Sequence, residues 1–357
     1  MNYVLKMLTA IKIKKVQFRQ RAEENRHHQI HEKAAWRSIN QAIQVNGWKL
    51  TEENKRKADE YAVDVFGRKE YAPWLYFFTL FSGEFKEGWI PLNYYTKYIL
   101  PDPSLSRISS VKTFSKTVLQ TNALPDIGYY VNGRFYDREF LPIKISYLKK
   151  LVAKNFCSIF VKEDNSLRGM GIHVLGAEDI TEENFQHIGN SVIQYPVRQH
   201  PFFEEFMPDS AANVRVITVR NLNGEIKHSV SYLKFGRQGK PFYQASLAVW
   251  VAIIDNAGFL DDHCYLNDFT KLSAHPDTGV KFSKKRIPRF SDCVSLCVSL
   301  HQNIPHFPII GWDLSVDREE KIQIFEWNAG APHPDIKTVQ AAVGPCFSGL
   351  GWEDLWK

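Results

Sequence analysis

The sequence predicts an α+β chain, with a mainly helical N-terminal region ahead of short, mostly antiparallel strands mixed with helices. Three observations carry that prediction. Apolar residues near the start recur at helical spacing, later apolar runs are short and alternating, and Asn132-Gly133 and Asn223-Gly224 stand between such runs as hairpin turns.

Taken in order, Val4, Met7, Leu8 and Ile11 follow the i, i+3, i+4, i+7 rule, with Lys6 on the opposite side. The stretch "QFRQRAEENRHHQIHEKAAWRSINQAI" continues in helix-compatible residues until Asn46-Gly47 breaks it. Thr51, followed by Glu52 and Glu53, has the form of an N-cap with acids in the first turn. Residues 70–105 are aromatic and turn-rich and end in a Pro/Ser stretch that marks a boundary. Beyond it the pattern predicts a helix over 110–122, a strand at "GYYVNGRFYD" and a helix from Ile145. Strands follow at "SIFVK", "MGIHVL", "NVRVITVR" and "SVSYLKFG", and the helix "SDCVSLCVSLHQNI" leads into "WDLSV" and "IQIFEWN". The expected division is 1–105, 106–195 and 196–357.

With 357 residues, 44% of them hydrophobic, and no low-complexity tract, the composition is globular rather than disordered. A net charge of +6 suits anionic ligands, but no nucleic-acid-binding signature accompanies it and no nucleic-acid partner is expected. Five cysteines without a CxxC pair read as reduced thiols. The opening "MNYVLKMLTAIKIKK" is interrupted by Lys6 and Lys12, which argues against a secretory signal, and no apolar run spans a membrane. The expectation is a cytoplasmic protein. Its basic N-terminal helices offer a peripheral contact with the inner face of a membrane, although such faces are more often simply solvated.

Four stretches carry chemistry. In "GWDLSVDREEKIQIFEWN", a hairpin with its loop at 318–321 sets Asp313 opposite Glu326, with Asn328 on the same face. Two carboxylates and an amide oxygen form a hard-oxygen set suited to Mg²⁺; the competing reading is an edge hairpin with solvated acids. In "CSIFVKEDNSLRGMGIHVL", a glycine loop joins two strands after Lys162. It has no GKS or GKT and no following helix, so it is not a P-loop. Its backbone N–H groups, Lys162 and Ser166 could still hold phosphate, and an ordinary glycine hairpin is the alternative. The apolar crossing "VIQYPV" has the look of a hinge. In "NVRVITV", Asn213 and Arg215 share one strand face, and Arg215 requires an anion, whether a structural acid or a ligand. Lys112, opening a helix, is on its own a surface lysine.

In this order the stretches resemble the ATP-grasp superfamily, and more closely its sugar-transfer-associated branch, over roughly residues 105–345. The resemblance implies an ATP-grasp fold, two α+β subdomains clasping ATP behind the N-terminal helical domain. It also implies ATP and Mg²⁺ as cofactors. Lys112 (with Lys116 as competitor) and Lys162 would hold nucleotide phosphates, and the loop Asp164–Gly171, with Asp164, Ser166, Gly169 and Gly171, would close over them. Gln194, Tyr195 and Val197 fall on the adenine hinge, and Glu204 or Glu205 on the ribose acid. "NVRVIT" places Arg215, with Asn213, at the reacting carboxyl or transferred phosphate. "HPDTG" places His275 toward substrate or nucleotide, and Asp313, Glu326 and Asn328 form the metal set. Val111 before the first lysine, Gln194-Tyr195-Pro196 at the hinge, and Leu167 and Arg168 in the loop depart from the family pattern. The implied reaction joins an amine or amino acid to a carboxylate through an acylphosphate, with a hexuronic acid of a capsule or O-antigen as the expected acceptor. A sugar kinase and a non-catalytic nucleotide-binding component of polysaccharide assembly are the other readings.

Overall fold

The computed structural model describes residues 2–100, 107–166, 170–239, 247–329 and 336–357, with backbone alone for 2–14. The chain divides into two compact units, one made of residues 1–99 with 340–357 and the other of residues 100–339. The expected division grouped 340–357 with the C-terminal strands; in the structure these residues join the N-terminal helices.

The first unit is built on α1 (Asn2–Asn46), α2 (Glu52–Phe66) and α3 (Ala72–Ser82). Gly47 ends α1 at φ 69°, a left-handed conformation that favours glycine. The Thr51 hydroxyl caps α2 by accepting from the Asn54 N–H at 3.2 Å. Trp74, Phe77, Phe78, Trp89, Tyr71 and Tyr94 are fully or nearly fully buried here, so the aromatic-rich 70–99 region is core rather than linker. The C-terminal segment completes it. Gln340 exchanges hydrogen bonds with both backbone groups of Ile90 (2.8 and 2.9 Å), and the Tyr94 hydroxyl donates to Trp352 O at 2.8 Å.

The second unit holds two antiparallel sheets. The smaller contains β1 (Asp126–Val131), β2 (Arg134–Asp137), β3 (Pro142–Ile143), β4 (Ile159–Glu163), β5 (Ile172–Leu175) and β6 (Ser191–Gln194), in the order β3-β2-β1-β6-β4-β5. Asn132 and Gly133 both take positive φ in the β1–β2 turn, as a two-residue hairpin of this type requires. Helices Ile145–Asn155 and Glu182–Ile188 cover one face through Leu148, Val152 and Phe185, which pack on Ile159, Val161 and Ile193. By strand alternation, Phe160, Lys162 and Gln194 lie on the other face.

The larger sheet contains β7 (Asn213–Arg220), β8 (Ile226–Phe235), β9 (Val249–Ile253), β10 (Leu260–Leu266), β11 (Lys271–Leu272), β12 (Ile309–Val316) and β13 (Ile322–Asn328), ordered β11-β10-β9-β8-β7-β12-β13. The helix Phe290–Asn303 closes one face, where Cys293, Cys297 and Leu300 join Val214, Val216, Trp312 and Leu314 in the main core. The opposite face carries the polar residues. The helix expected over 110–122 is shorter, consisting of 3₁₀ turns at Arg107–Ser110 and Lys112–Phe114 and then one α-helix, Ser115–Leu119. Its Ser/Thr side chains bond elsewhere: Ser110 Oγ donates to Arg107 O and Thr113 Oγ1 to Asp164.

Candidate functional site

The site begins with strand register. Across the larger sheet Tyr232, Arg215, Asp313 and Glu326 lie in one cross-strand row, since Arg215 pairs with Tyr232 and with Asp313, and Asp313 with Glu326. The hairpin reaches that pairing differently from the expected route. Its loop is tighter by one register step, so Val316 rather than Asp317 pairs with Ile322, and a β-bulge at Phe325 restores the frame before Glu326. The bulge also leaves Gln323 and Glu326 on the same face, although they are three residues apart.

At the centre, Arg215 forks onto Asp313 (Nε to Oδ1 2.8 Å, a second nitrogen to Oδ2 2.9 Å), and Lys234 Nζ donates to the same Oδ1 at 2.8 Å. Asn328 adds Nδ2 to Oδ2 at 3.3 Å. All three charged groups are at most 6% exposed. Burial works to raise the Asp313 carboxyl, but Arg215 and Lys234 outweigh it and hold it below the ordinary range. Glu326 has no hydrogen bond or ion pair among the described residues and is half-buried.

Lys162 reaches β13 from the smaller sheet, its Nζ 3.4 Å from Phe325 O and 5.6 Å from the Phe325 ring centre. Its surface is partly exposed, yet protein atoms surround its amine. That burial is the largest influence pushing it below the usual lysine range, with Glu326 opposing and Lys112 adding to the shift. Lys112 Nζ donates to Glu163 O (3.2 Å), Ser166 O (2.8 Å) and Ser166 Oγ (3.1 Å), so it staples the start of the glycine loop. Asp164 clips the same loop by accepting from Thr113 N and Oγ1. Gly171 closes it at φ 69°, where an added Cβ would meet Ser166 Cβ at 2.6 Å. Leu167, Arg168 and Gly169 lie outside the described residues. Lys116, the competitor for Lys112, is held by Arg138 O and Glu139 instead.

Other expected residues have partners of their own. The Gln194 amide donates to Asp126, which also accepts from Tyr129; burial pushes the Asp126 carboxyl up despite both bonds. Tyr195 stacks on Phe156 and donates to Gln323 at 3.0 Å, and Val197 is half-buried beyond it. Glu204 is spent on a two-pronged pair with Arg318, and Glu205 on Lys285. His275 packs edge-on against Phe235, a residue of the helix-covered core, and is therefore not in the polar row. Asn213 is in the next row, opposite Lys234. Lys234 is the residue that sequence reasoning missed. A lysine inside the apolar strand "SVSYLKFG" was its one signal.

Two antiparallel sheets, with a lysine of one brought to a carboxylate-bearing hairpin of the other, define an ATP-grasp chain. The chain belongs to the family described as sugar-transfer associated ATP-grasp, whose model matches residues 167–349, just over half of its length. No curated protein matches it. Among solved structures, it is similar to the biotin carboxylase domain of Hydrogenobacter thermophilus 2-oxoglutarate carboxylase, a dimer in complex with MgADP, ADP and bicarbonate. That match has 13% identity over 69% of this chain and 47% of that one, with TM-score 0.40. Similar too are Campylobacter jejuni biotin carboxylase (13%, 71% and 49%, 0.41) and Thermotoga maritima N5-carboxyaminoimidazole ribonucleotide synthetase (13%, 65% and 44%, 0.35). The chain spans about half the length of these structures.

Proposed function

We propose that the protein is an ATP-dependent ligase that activates a carboxylate and joins it to an amine, with an acidic sugar of a bacterial surface polysaccharide as acceptor. The observation that carries this reading is the single sheet face on which buried Arg215 and Asp313 and half-buried Glu326 and Asn328 converge, with Lys162 brought against the same hairpin. These are the groups needed to neutralise a triphosphate and orient a carboxylate beside it.

The residues fit Mg²⁺ and ATP in donor chemistry. Glu326 is an uncommitted carboxylate opposite Asp313, and Asn328 keeps its Oδ1 as an acceptor while its Nδ2 is used. Bound there, magnesium would neutralise phosphate charge. Lys162 would hold the phosphates, and Lys112 would keep the glycine loop shaped to cover them. Arg215 would orient the acceptor carboxylate toward the γ-phosphorus. In the reaction, that carboxylate oxygen bonds phosphorus as the β–γ bridging P–O bond breaks and ADP leaves. The amine then attacks the acyl carbon, phosphate departs, and the nitrogen gives up a proton.

The test crosses uronic acids and uronate-bearing glycans with amino acids and simple amines, following ADP and phosphate. Phosphate release should rise at least about tenfold only when acid and amine are both present, a fall in barrier of about 1.4 kcal/mol or more. The product mass should be the sum of the two less water. Turnover without amine that leaves a stable phosphorylated acceptor would make the protein a kinase, and ATP binding with no turnover on any pair would favour a non-catalytic role.

A further inference from the structure

The charge of the chain is not spread evenly. Residues 1–22 hold six cations, Lys6, Lys12, Lys14, Lys15, Arg19 and Arg21, and no acid. The whole chain has 45 Lys and Arg against 39 Asp and Glu, so without these six the rest balances at 39 of each. The entire net charge of +6 therefore sits on the first half of α1.

The helical unit holds α1 through its later residues. Glu24 pairs with Lys97 and Arg68, and His28, Ala35, Ile39 and Ala42 are buried. Residues 15–23 are all exposed instead, with Phe18 at 76%. With about 100° between successive residues, Val4, Met7, Leu8, Ile11 and Phe18 take positions on one face of the helix. Lys12 and Arg19 border that face on one side, and Lys14 and Arg21 on the other. Lys15 interrupts it, on a stem long enough to lift its amine clear of apolar surroundings. The buried positions of α1 lie about a third of a turn away, so this face is not their continuation.

An apolar stripe edged on both sides by cations is the layout of a helix that lies in a bilayer surface. Acyl chains take the stripe, and lipid phosphates take the edges. A second copy docked on the stripe would set these cationic edges against their like. Nucleic acid would take the charge and leave Phe18 in water. No helix among the described residues is long and apolar enough to cross a membrane, so the contact is with one surface.

We propose that residues 2–22 of α1 are a surface helix for an anionic lipid bilayer, with Phe18 at the acyl boundary and Lys12, Lys14, Arg19 and Arg21 at headgroup phosphates. The proposal does not depend on the ligase reading.

The test is co-sedimentation of the full chain with phosphatidylcholine vesicles, with and without about one-third phosphatidylglycerol. The protein should pellet with the anionic vesicles and not with phosphatidylcholine alone, and the bound fraction should fall as salt rises. Phe18→Ser should weaken the anionic binding about tenfold, whereas Phe18→Trp should keep it. Arg19→Gln combined with Arg21→Gln should weaken it at least about tenfold. Lys227→Gln combined with Lys271→Gln removes equal charge from exposed strand positions elsewhere and should leave it unchanged. Phe18, Arg19 and Arg21 are exposed, so the thermal midpoints of these variants should match the wild type. A wild-type protein that ignores anionic vesicles would overturn the proposal, and that measurement needs no variant. Binding that survives Phe18→Ser, or that the Lys227 and Lys271 pair weakens as much, would overturn it too, since charge alone would then explain it. Dimerisation lost in Phe18→Ser, with no vesicle binding, would give the face to a second copy instead. Turnover on soluble substrates should be unchanged in Phe18→Ser, so this proposal and the ligase reading fail separately.

Discussion

Glu326 and Asp313 face each other across one hairpin, yet their surroundings give them opposite consequences on mutation. The Glu326 side chain makes no hydrogen bond or ion pair among the described residues, so Glu326→Gln should leave thermal stability nearly unchanged. It should lower turnover by two orders of magnitude or more, about 3 kcal/mol, as loss of a metal carboxylate would. Asp313 anchors two buried cations, and Asp313→Asn removes the carboxylate charge that both bond. Its expected cost is about 3–5 kcal/mol of folding stability, read from urea midpoints of the two variants side by side. Equal stability loss in both would mean that Glu326 has a structural bond. At this scale the sequence shows which acids matter, because carboxylates in apolar runs demand compensation. It does not show what compensates Asp313, since Arg215 and Lys234 lie 98 and 79 residues away along the chain.

The hairpin between β12 and β13 shows why elements are legible before their registers are. Strand alternation predicts both strands and the Asp313–Glu326 pairing, but the loop is held by Asp317 rather than beginning after it. Asp317 Oδ1 accepts the N–H groups of Glu319 (3.0 Å) and Lys321 (2.8 Å), and Oδ2 accepts Gln323 Nε2 at 2.9 Å. That tight loop displaces the register by one, and the bulge at Phe325 undoes the displacement. Two departures cancel, and neither leaves a mark in residue types. Asp317→Ala should leave these donors unpaired at a site only 7% exposed and cost about 2–3 kcal/mol, measured by chemical denaturation. Asp317→Asn, which keeps one acceptor, should cost less. The short helix after Lys112 is a similar case: helical propensity is present, but Ser and Thr side chains take local and loop partners instead.

Across the whole molecule, acid should act through buried imidazoles before it reaches the carboxylates. His301 is fully buried, with Nε2 donating to Phe307 O and Nδ1 accepting from Thr218; burial holds its pKa down at about 4. His228 is pushed to about 4 by the same cause. The unfolded chain takes a proton on each near pH 6.5. Stability is therefore full above that value and falls as pH drops toward 4. His301 alone removes roughly 2 kcal/mol by pH 5. Urea midpoints between pH 6.5 and 5 should show the decline, and His301→Gln should lessen it while the His228 share persists.

The helical unit is made from both ends of the chain, with all 240 residues from Leu100 to Val339 between its parts. A ribosome delivers α1, α2 and α3 first and then needs on the order of ten to fifty seconds to supply that intervening stretch at ordinary elongation speeds. Only then do Gln340, Trp352 and Trp356 emerge to meet Ile90, Tyr94 and Val65. The sheet-bearing unit, contiguous in sequence, can be finished while the aromatic helices still wait for their closing segment. During that interval the aromatic helices lack the residues that complete their core, and transiently exposed apolar surface of that kind is what chaperones shield.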